Sequence, residues 1–447
     1  MRGNPASGEG VRRRPRYSHG VQSISVSPAA PRFLLPRHRI GVVLALLASA
    51  AALFPWLIDS GPSLRYAIDI DVYREGAKAF LAGDNLYTRS YSVGGIELPF
   101  TYPPLAAILF IPLALVPYGV ALVGWTLLTA ALMWWCLAVV LRHVLPALAD
   151  ADHRVIAVWL LPLALVAEPV RETLAFGQIN VILMALVLAD TLTRRPLLPR
   201  GVLIGLAAAI KLTPAVFILV FLVQRRWRSA AVTFLSGVGF TLAAAAVSPG
   251  TSLTYWLNTL SDTSRIGNEA YSSNQSIRGF LARLTEPGEQ ASTVVWSVLV
   301  VLALGLITAA MLRVHHVTRS AEPALGVVLL ASTVALVCSP VSWSHHWVWL
   351  IPVAVALAGT AWQRRSAPAA VLAALTLAAV FASPHWLLPN DYGLEYTWPW
   401  WAHVAGNSYV VVALAVVATA VAAPRVLVPA AGFRAAGSSG GITDHRR

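Results

Sequence analysis

The chain has 447 residues, of which 57% are hydrophobic and only 12% are charged, and its mean hydropathy is +0.67. This composition excludes a soluble globular protein, and the formal net charge of +13 does not indicate nucleic-acid binding, because the basic residues cluster in tails and short turns. The two cysteines, Cys136 and Cys338, lie in separate apolar runs, so no disulfide framework or thiolate metal site is indicated.

Long apolar runs recur along most of the sequence. They are rich in Leu, Ala and Val without strict alternation, and many approach the ~20 residues that cross ~30 Å of hydrocarbon as a helix. Lipid offers no partner to backbone polar groups, so such runs form helices and not barrel strands. The prediction is an all-α polytopic membrane protein with about eleven to thirteen transmembrane helices, some half-length or re-entrant.

The first 39 residues contain eight arginines and one acid, Glu9, with several Pro, Ser and Gly residues. This segment cannot bury a core, and we expect a disordered basic tail in the cytoplasm. The apolar run 40–58 shows no clear cleavage site and predicts the first transmembrane helix. A transmembrane domain then extends over 40–425, and 426–447 form a second cytoplasmic tail.

Arginine-rich turns set the expected topology. Turns at 194–200, 225–228, 313–319, 364–365 and from 425 onward all favour the cytoplasm, which places 59–102, 248–292, 340–346 and 384–404 outside. The stretch between 200 and 225 is too short for two full crossings and is interrupted at Lys211. Two half-length helices that meet at Lys211 satisfy both basic turns. Of the four apolar runs 103–116, 119–141, 154–167 and 178–193, one must fail to cross.

The first external segment, 59–102, carries the most informative polar patch, Asp69-Ile70-Asp71-Val72-Tyr73-Arg74, which we expect in a loop. Acids at the membrane boundary are functional candidates by default. Only one base is needed for chemistry, so Asp71 is expected to cap a helix or pair with Arg74. The segment ends at Tyr102-Pro103-Pro104, where the two prolines should break or start a helix.

Polar residues at the other breaks fall on the same expected side. Cations that could hold a phosphate are Lys211, Arg171, Arg278, His345 and His346. Candidates for sugar or acceptor contacts are Tyr73, Tyr102, Gln178, Asn180, Asn274, Gln275 and Trp343. Structural alternatives stay open: Glu168 could pair with Arg171, and Gln178 and Asn180 could bond helix ends. Adjacent histidines point about 100° apart on a helix, so only one of His345 and His346 should face a reacting centre.

Six motifs in order resemble those of actinobacterial polyprenyl-phosphate-mannose-dependent α-1,2-mannosyltransferases of the GT-C superfamily. They are Asp69-x-x-Val72-Tyr73, Phe100-Thr101-Tyr102-Pro103-Pro104, Gly177-Gln178-Ile179-Asn180, Lys211-Leu212-Thr213-Pro214, Asn274-Gln275-Ser276-x-Arg278-Gly279 and Ser342-Trp343-Ser344-His345-His346-Trp347. The resemblance covers roughly residues 40–425.

The resemblance implies transfer of mannose from a polyprenyl monophosphate, on the outer face of the plasma membrane, to a phosphatidylinositol mannoside, lipomannan or lipoarabinomannan. Asp69 takes the place of the family's base, and inversion of a β-linked donor needs no second carboxylate. A lipid monophosphate chelates metal poorly, so we expect no metal and no cofactor. Two alternatives remain: a polyprenyl-phosphate-arabinose-dependent arabinofuranosyltransferase, and a transporter or flippase for a lipid-linked sugar.

Overall fold

The structure is a computed structural model that describes residues 39–58, 65–262, 265, 267–287, 289, 291–318 and 324–430. The predicted N-terminal tail lies outside these residues except for Arg39, as does the C-terminal tail beyond residue 430. Helices dominate the described residues, which confirms the predicted all-α class.

Twenty α-helices follow one another in the described residues. Their bounds are α1 Arg39–Leu57, α2 Ile68–Leu81, α3 Pro104–Leu109, α4 Ile111–Ala114, α5 Tyr118–Val144, α6 Asp150–Val166, α7 Glu168–Phe176, α8 Asn180–Leu192, α9 Val202–Ile210, α10 Ile218–Val223, α11 Trp227–Val247, α12 Pro249–Leu257, α13 Ile277–Ala282, α14 Thr293–Thr318, α15 Leu325–Val337, α16 Leu350–Arg364, α17 Ala367–Ala382, α18 Pro384–Leu387, α19 Trp400–Gly406 and α20 Ser408–Ala422. Short 3₁₀ helices occur at Thr213–Phe217, Thr259–Ser261, Ser344–Trp349, Leu394–Thr397 and Pro424–Leu427.

Four helices are long and apolar enough to cross a membrane by themselves: α1, α5, α11 and α14. The pairs α6–α7 and α19–α20 also qualify when each is taken as one span bent by 72° and 75°, which gives up to six by length and composition among the described residues. Four further apolar segments, Asn180–Leu192, Thr213–Val223, Leu325–Val337 and Ala367–Ala382, are shorter. The polytopic fold is confirmed, and the larger count of eleven to thirteen crossings stays a prediction.

The segment 59–102, predicted to be external, differs from the expected loop. Asp69 and Asp71 lie in the first turn of α2, where carboxylates complement the positive end of the helix dipole. One face of α2, with Ile70, Tyr73 and Ala77, is fully buried and packs toward α3 and α4. The apolar spacing of a short amphipathic helix therefore outweighed the polar composition of the patch.

An antiparallel hairpin follows α2 and was not predicted. Strand β1 (Ser90–Val93) pairs with β2 (Ile96–Pro99) across Gly94-Gly95. Both glycines have positive φ, 58° and 82°, as a tight two-residue hairpin turn requires. The chain then enters α3 with Pro104 in its first turn, so the two prolines start a helix.

Two breaks in the apolar runs position the candidate site. The run 103–116 forms α3 and α4, six and four residues long, and helices of that length cannot cross a bilayer. Helix α9 ends at Lys211, which has extended backbone angles, and a 3₁₀ turn leads into α10. The half-length helices expected around Lys211 are therefore present.

Helices α9 and α11 approach closely at one end and separate toward the other. A Cβ atom on Gly205 would overlap Ser236 Oγ, so only glycine permits this contact. Farther along, an apolar groove of about 500 Å³ opens between the two helices, lined by Ala208, Ala209, Leu212, Ala215, Ile218, Thr233, Phe234, Gly237, Val238, Thr241, Leu242 and Trp256. The close contact at Gly205 thus sets where the groove begins.

Candidate active site

A cavity of about 410 Å³ collects several of the predicted residues, within the usual size range of small-molecule sites. Its walls come from α2, the segment after β2, the breaks at Gln178 and Lys211, α12 and the segment before the 3₁₀ helix Ser344–Trp349. The lining side chains that can take part in chemistry are Asp69, Tyr102, Gln178, Lys211, Tyr255, Arg265, Trp343 and His346. Asp69 is the one carboxylate among the described residues that line it.

Asp69 is half-buried and accepts a hydrogen bond of 2.7 Å from Gln178 Nε2. Burial raises the pKa of Asp69 to about 6, although the Gln178 amide and the positive charge of Lys211 both favour the ionised carboxylate. Asp69 is therefore mostly ionised at neutral pH, and its pKa lies near the range where a general base works best.

A chain of hydrogen bonds holds Gln178 in one orientation. Tyr102 Oη donates to Gln178 Oε1 over 3.0 Å, and the hydroxyls of Tyr73 and Tyr102 lie 2.9 Å apart. Burial raises the pKa of both tyrosines, so each keeps its proton. With its oxygen occupied by Tyr102, Gln178 presents its NH₂ group to Asp69. The turn before Gln178 depends on Gly177, whose φ of 74° ends α7 in the left-handed conformation.

Lys211 provides one positive charge of the cavity. Its Nζ lies 3.2 Å from His346 Nε2, 3.4 Å from Asn180 Oδ1 and 5.3 Å from the ring centre of Tyr102. No carboxylate of the described residues lies within salt-bridge distance of Nζ. An ammonium group can only donate, so the neutral His346 ring accepts at Nε2 and carries its proton on Nδ1. Lys211 thus retains charge and donor capacity for an anion in the cavity.

His345 and His346 point in different directions, as expected from their adjacency. His346 lines the cavity, whereas both ring nitrogens of His345 are buried without a hydrogen-bond partner. The His345 carbonyl accepts bonds from Thr173 Oγ1 at 3.0 Å and Asn180 Nδ2 at 2.9 Å. Asn180 therefore contributes by anchoring the histidine segment and by accepting a bond from Lys211.

Asn274 and Gln275 do not line the cavity, and both are fully buried. Asn274 Oδ1 accepts from Ser342 N at 3.0 Å, and Gln275 Nε2 donates to the carbonyls of Ser272 and Gly406 at 2.9 and 2.6 Å. The two residues join the segment 272–276 to the segment that carries Trp343. Their contacts are those of a scaffold behind the site.

The arginines expected near the donor phosphate lie outside the cavity lining. Arg171 Nη2 pairs with Glu172 at 3.2 Å, and Arg278 Nε pairs with Glu269 at 2.8 Å. Glu168 does not pair with Arg171, contrary to the structural alternative. It accepts instead from Trp386 Nε1 at 2.8 Å and Tyr409 Oη at 2.5 Å, and lies 3.3 Å from His385 Nε2.

Arg265 lines the cavity and was missed from the sequence. Its Nη1 donates to the Tyr87 carbonyl over 3.2 Å, while Nε and Nη2 are buried without a partner. A signal was available, because an arginine in a segment predicted to be external runs against the positive-inside rule. Asp71, as expected, lies near Arg74, with 3.8 Å between Oδ1 and Nε. Among the described residues, no group of three or more His, Cys, Asp or Glu side chains could hold a metal ion.

Comparison with known proteins identifies the family. The profile of glycosyltransferase family 87 matches residues 100–340. The chain is 41% identical over 363 residues to the polyprenol-phosphate-mannose-dependent alpha-(1-2)-phosphatidylinositol mannoside mannosyltransferase of Mycobacterium tuberculosis. The alignment covers 78% of this chain and 83% of the relative. It is 36% identical over 386 residues to the corresponding phosphatidylinositol pentamannoside mannosyltransferase of Mycolicibacterium smegmatis, covering 84% and 88%.

No solved structure matches the chain. The matched region contains four of the six motifs in full, from Phe100 to Gly279, and the relatives' alignments extend over most of the sequence. The resemblance predicted from the six motifs is confirmed. The chain belongs to glycosyltransferase family 87.

Proposed function

We propose that this chain is an inverting glycosyltransferase that moves mannose from polyprenyl-phosphate-mannose to a mannosylated phosphatidylinositol glycolipid and forms an α-1,2 linkage. The observation that carries the proposal is the placement of Asp69 and the Lys211–His346 pair in one cavity, with a single carboxylate among its described lining residues. The names of the two relatives supply the substrate class.

Asp69 is the proposed general base. A sugar hydroxyl attacks poorly until its proton is removed, and a well-placed base contributes typically ~10²–10⁴-fold. The amide of Gln178 donates a hydrogen bond to Asp69 Oδ2 and fixes the orientation of the carboxylate. The other carboxylate oxygen, Oδ1, is left for the acceptor hydroxyl. In the reaction the acceptor oxygen bonds to the anomeric carbon, its proton passes to Asp69, and the phosphate oxygen leaves with the bonding electrons.

A single carboxylate is sufficient for inversion. Retaining glycoside chemistry requires a second carboxylate as nucleophile, about 5–5.5 Å from the first. Asp71 does not fill that role, because its oxygens contact Tyr66 Oη at 2.9 Å and Arg74. A β-linked donor attacked from the face opposite its phosphate gives the α product directly.

Lys211, His346 and Arg265 are the proposed partners of the leaving phosphate. Positive groups held in place in a site with little water stabilise charge as it develops on the leaving oxygen. Lys211 has donor capacity beyond its contacts with His346 and Asn180, and Arg265 has two unpartnered nitrogens. Arg171 and Arg278, with their carboxylate partners, support the surrounding structure in this account.

The polyprenyl chain of the donor is proposed to lie in the apolar groove between α9 and α11. Leu212 lines both this groove and the catalytic cavity, and the neighbours Tyr255 and Trp256 line one each. Leu212 directly follows Lys211, so a chain attached to the phosphate would pass from the cation into the groove. Ala208, Ala209 and Gly237 leave room for branched isoprene units.

We further propose that the protein lies in the plasma membrane with its N-terminus in the cytoplasm and the cavity on the outer side. The arginine-rich turns support this orientation through the positive-inside rule. Reporter fusions test it: a fusion after Arg226 should report the cytoplasm and one in 248–262 the outer side, and the reverse pattern would overturn the orientation.

One assay tests the proposed function. Purified protein is incubated with labelled polyprenyl-phosphate-mannose and a panel of phosphatidylinositol mannosides, and the product linkage is determined. We expect an α-1,2-linked mannose and no product from polyprenyl-phosphate-arabinose. Transfer of arabinose, or movement of the donor across a vesicle membrane without glycoside formation, would contradict the proposal.

A further inference from the structure

A second large cavity lies at the opposite end of the helix bundle from the candidate active site. It measures about 750 Å³ and opens where the turn after α10, the last turns of α14 and the 3₁₀ helix Pro424–Leu427 meet. Helix α14 has 26 residues and so spans about 39 Å. Thr293, at its other end, accepts a hydrogen bond from Arg278 on the side of the active site. The two cavities are therefore separate sites.

The second cavity is lined by basic side chains. Among the described residues, Arg225, Arg313, His315 and His316 line it, and no carboxylate does. Within the part of the chain that the structure describes, neither Arg225 nor Arg313 forms a salt bridge, and His315 Nδ1 is buried without a partner. Concentrated positive charge in a concave site repels itself and attracts an anion.

The backbone at Arg225 has a conformation that is uncommon for an arginine. Arg225 has a φ of 55°, in the left-handed region that glycine or asparagine occupies at lower cost. The turn between α10 and α11 therefore holds an arginine where the backbone alone favours a smaller residue. Residues held in sparsely populated backbone conformations cluster at functional sites.

The apolar part of the wall indicates what the anion is attached to. Leu312 and Val317 also line the cavity, and they are 48% and 39% exposed. The exposed apolar face of α14 continues away from the cavity through Leu306, Leu302 and Val298. A ligand that fills the cavity and follows this face has a phosphate at one end and hydrocarbon at the other.

We propose that this cavity binds the headgroup of an anionic phospholipid, with the phosphodiester held by Arg225 and Arg313 and the acyl chains along α14. Guanidinium groups match the oxygens of a phosphate with paired N–H bonds, and the histidines add N–H donors at the rim. Soluble phosphate has the same charge chemistry but makes no use of the apolar wall. The lipid is neither donor nor acceptor of the transfer reaction, because it lies at the far end of α14.

Native mass spectrometry tests the proposal directly. The full chain is placed in nanodiscs of phosphatidylcholine with a small fraction of phosphatidylglycerol. The protein is then released from the nanodisc in the mass spectrometer, and the phosphatidylglycerol molecules that stay bound to it are counted. We expect one retained phosphatidylglycerol. Arg313→Gln and Arg225→Asn should each weaken retention about fivefold, the factor expected for one basic residue near an anionic lipid. Asparagine adopts a positive φ readily, so Arg225→Asn removes charge without adding strain.

Arg195→Gln is the matched control, because Arg195 is exposed in another basic turn outside the cavity. Equal loss of lipid in this variant would mean general surface attraction and would overturn the proposal. The proposal would also be overturned if the wild-type protein retained no phosphatidylglycerol. The same holds if inorganic phosphate raised the thermal unfolding midpoint of the wild type as much as the lipid does. A rise of the thermal midpoint with phosphatidylglycerol that is smaller in Arg313→Gln than in the wild type supports it.

Discussion

The candidate active-site cavity and the buried segment around Arg283 both contain a buried cation, but the two cations differ in how many partners the protein gives them. Arg283 is fully buried and donates to the carbonyls of Ala270, Tyr271 and Asn274 and to the side chain of Asn407. In the cavity, Lys211 contacts two neutral side chains and no carboxylate partner. The polar contacts of Arg283 are made within the protein, whereas Lys211 keeps spare donor capacity that a substrate in the cavity could use.

The largest expected effect is that of Asp69→Asn on activity. The variant keeps the shape and the Gln178 contact but cannot take a proton, so turnover should fall ~10²–10⁴-fold, the contribution of a general base. Its thermal unfolding midpoint should stay close to that of the wild type. Asp71→Asn is the control and should retain most activity. Steady-state transfer kinetics of both variants measure this, and comparable losses would remove the distinction between the two acids.

Lys211→Ala should raise KM for the donor about 10- to 100-fold, because a charge-assisted hydrogen bond contributes about 1.5–3 kcal/mol. The KM for the acceptor should change little. Arg278→Ala, which removes a cation paired with Glu269 outside the cavity, should instead lower stability more than donor affinity. Kinetics with each substrate varied in turn separate the two outcomes. An equal rise in both KM values for Lys211→Ala would argue against a donor-phosphate role.

Glu168→Gln should act on stability and not on the chemical step. The Glu168 carboxylate accepts hydrogen bonds from Trp386 and Tyr409 and contacts His385. A Gln side chain would replace one of its oxygens by an NH₂ group, which cannot accept a hydrogen bond from these donors. A buried donor left without an acceptor costs about 1–3 kcal/mol. Thermal unfolding in detergent should shift down, while activity per folded molecule stays within a few fold. Glu172→Gln, whose carboxylate pairs with Arg171, is the milder comparison.

Gly237→Leu should reveal the lipid groove through a dependence on donor chain length. A leucine side chain would occupy space for roughly two CH₂ groups of the polyprenyl chain, which predicts about a tenfold loss of kcat/KM with a long-chain donor. A donor with only two isoprene units should be unaffected. Gly239→Leu is the matched control, because Gly239 lies on the same helix outside the groove and has open space around it. Equal losses of kcat/KM for the long and the short donor would mean that the polyprenyl chain does not lie in this groove.

Some of this arrangement could be predicted from the sequence and some could not. The break at Lys211 was predictable. A single crossing would put the basic turns before and after it on opposite sides of the membrane, whereas both turns favour the cytoplasm. The helix around Asp69 was misread as a loop, because its apolar face, Ile70, Tyr73 and Ala77, is short and interleaved with charge. The hairpin at Gly94-Gly95 is equally short and lies among helices.

The roles within the site depended on partners distant in sequence. Arg278 and Arg265 both belong to the segment 248–292, which was predicted to be external. Only the structure separates Arg278, which pairs with Glu269, from Arg265, which lines the cavity. Asn274 and Gln275 belong to a motif of the family, yet their contacts are with backbone groups of 269–272, 340–342 and 406. Motif membership therefore indicates proximity to the site and does not distinguish contact with substrate from support.

The pH dependence of kcat/KM for mannose transfer tests the central claim most directly. With the pKa of Asp69 raised by burial to about 6, activity that needs the ionised carboxylate should rise with pH through that value and level off above it. Because the Gln178 hydrogen bond lowers this pKa, Gln178→Leu should move the rise to higher pH. The residual activity of Asp69→Asn should show no such rise. An unchanged acid limb in Asp69→Asn would contradict the account, since the ionising group would then be another residue.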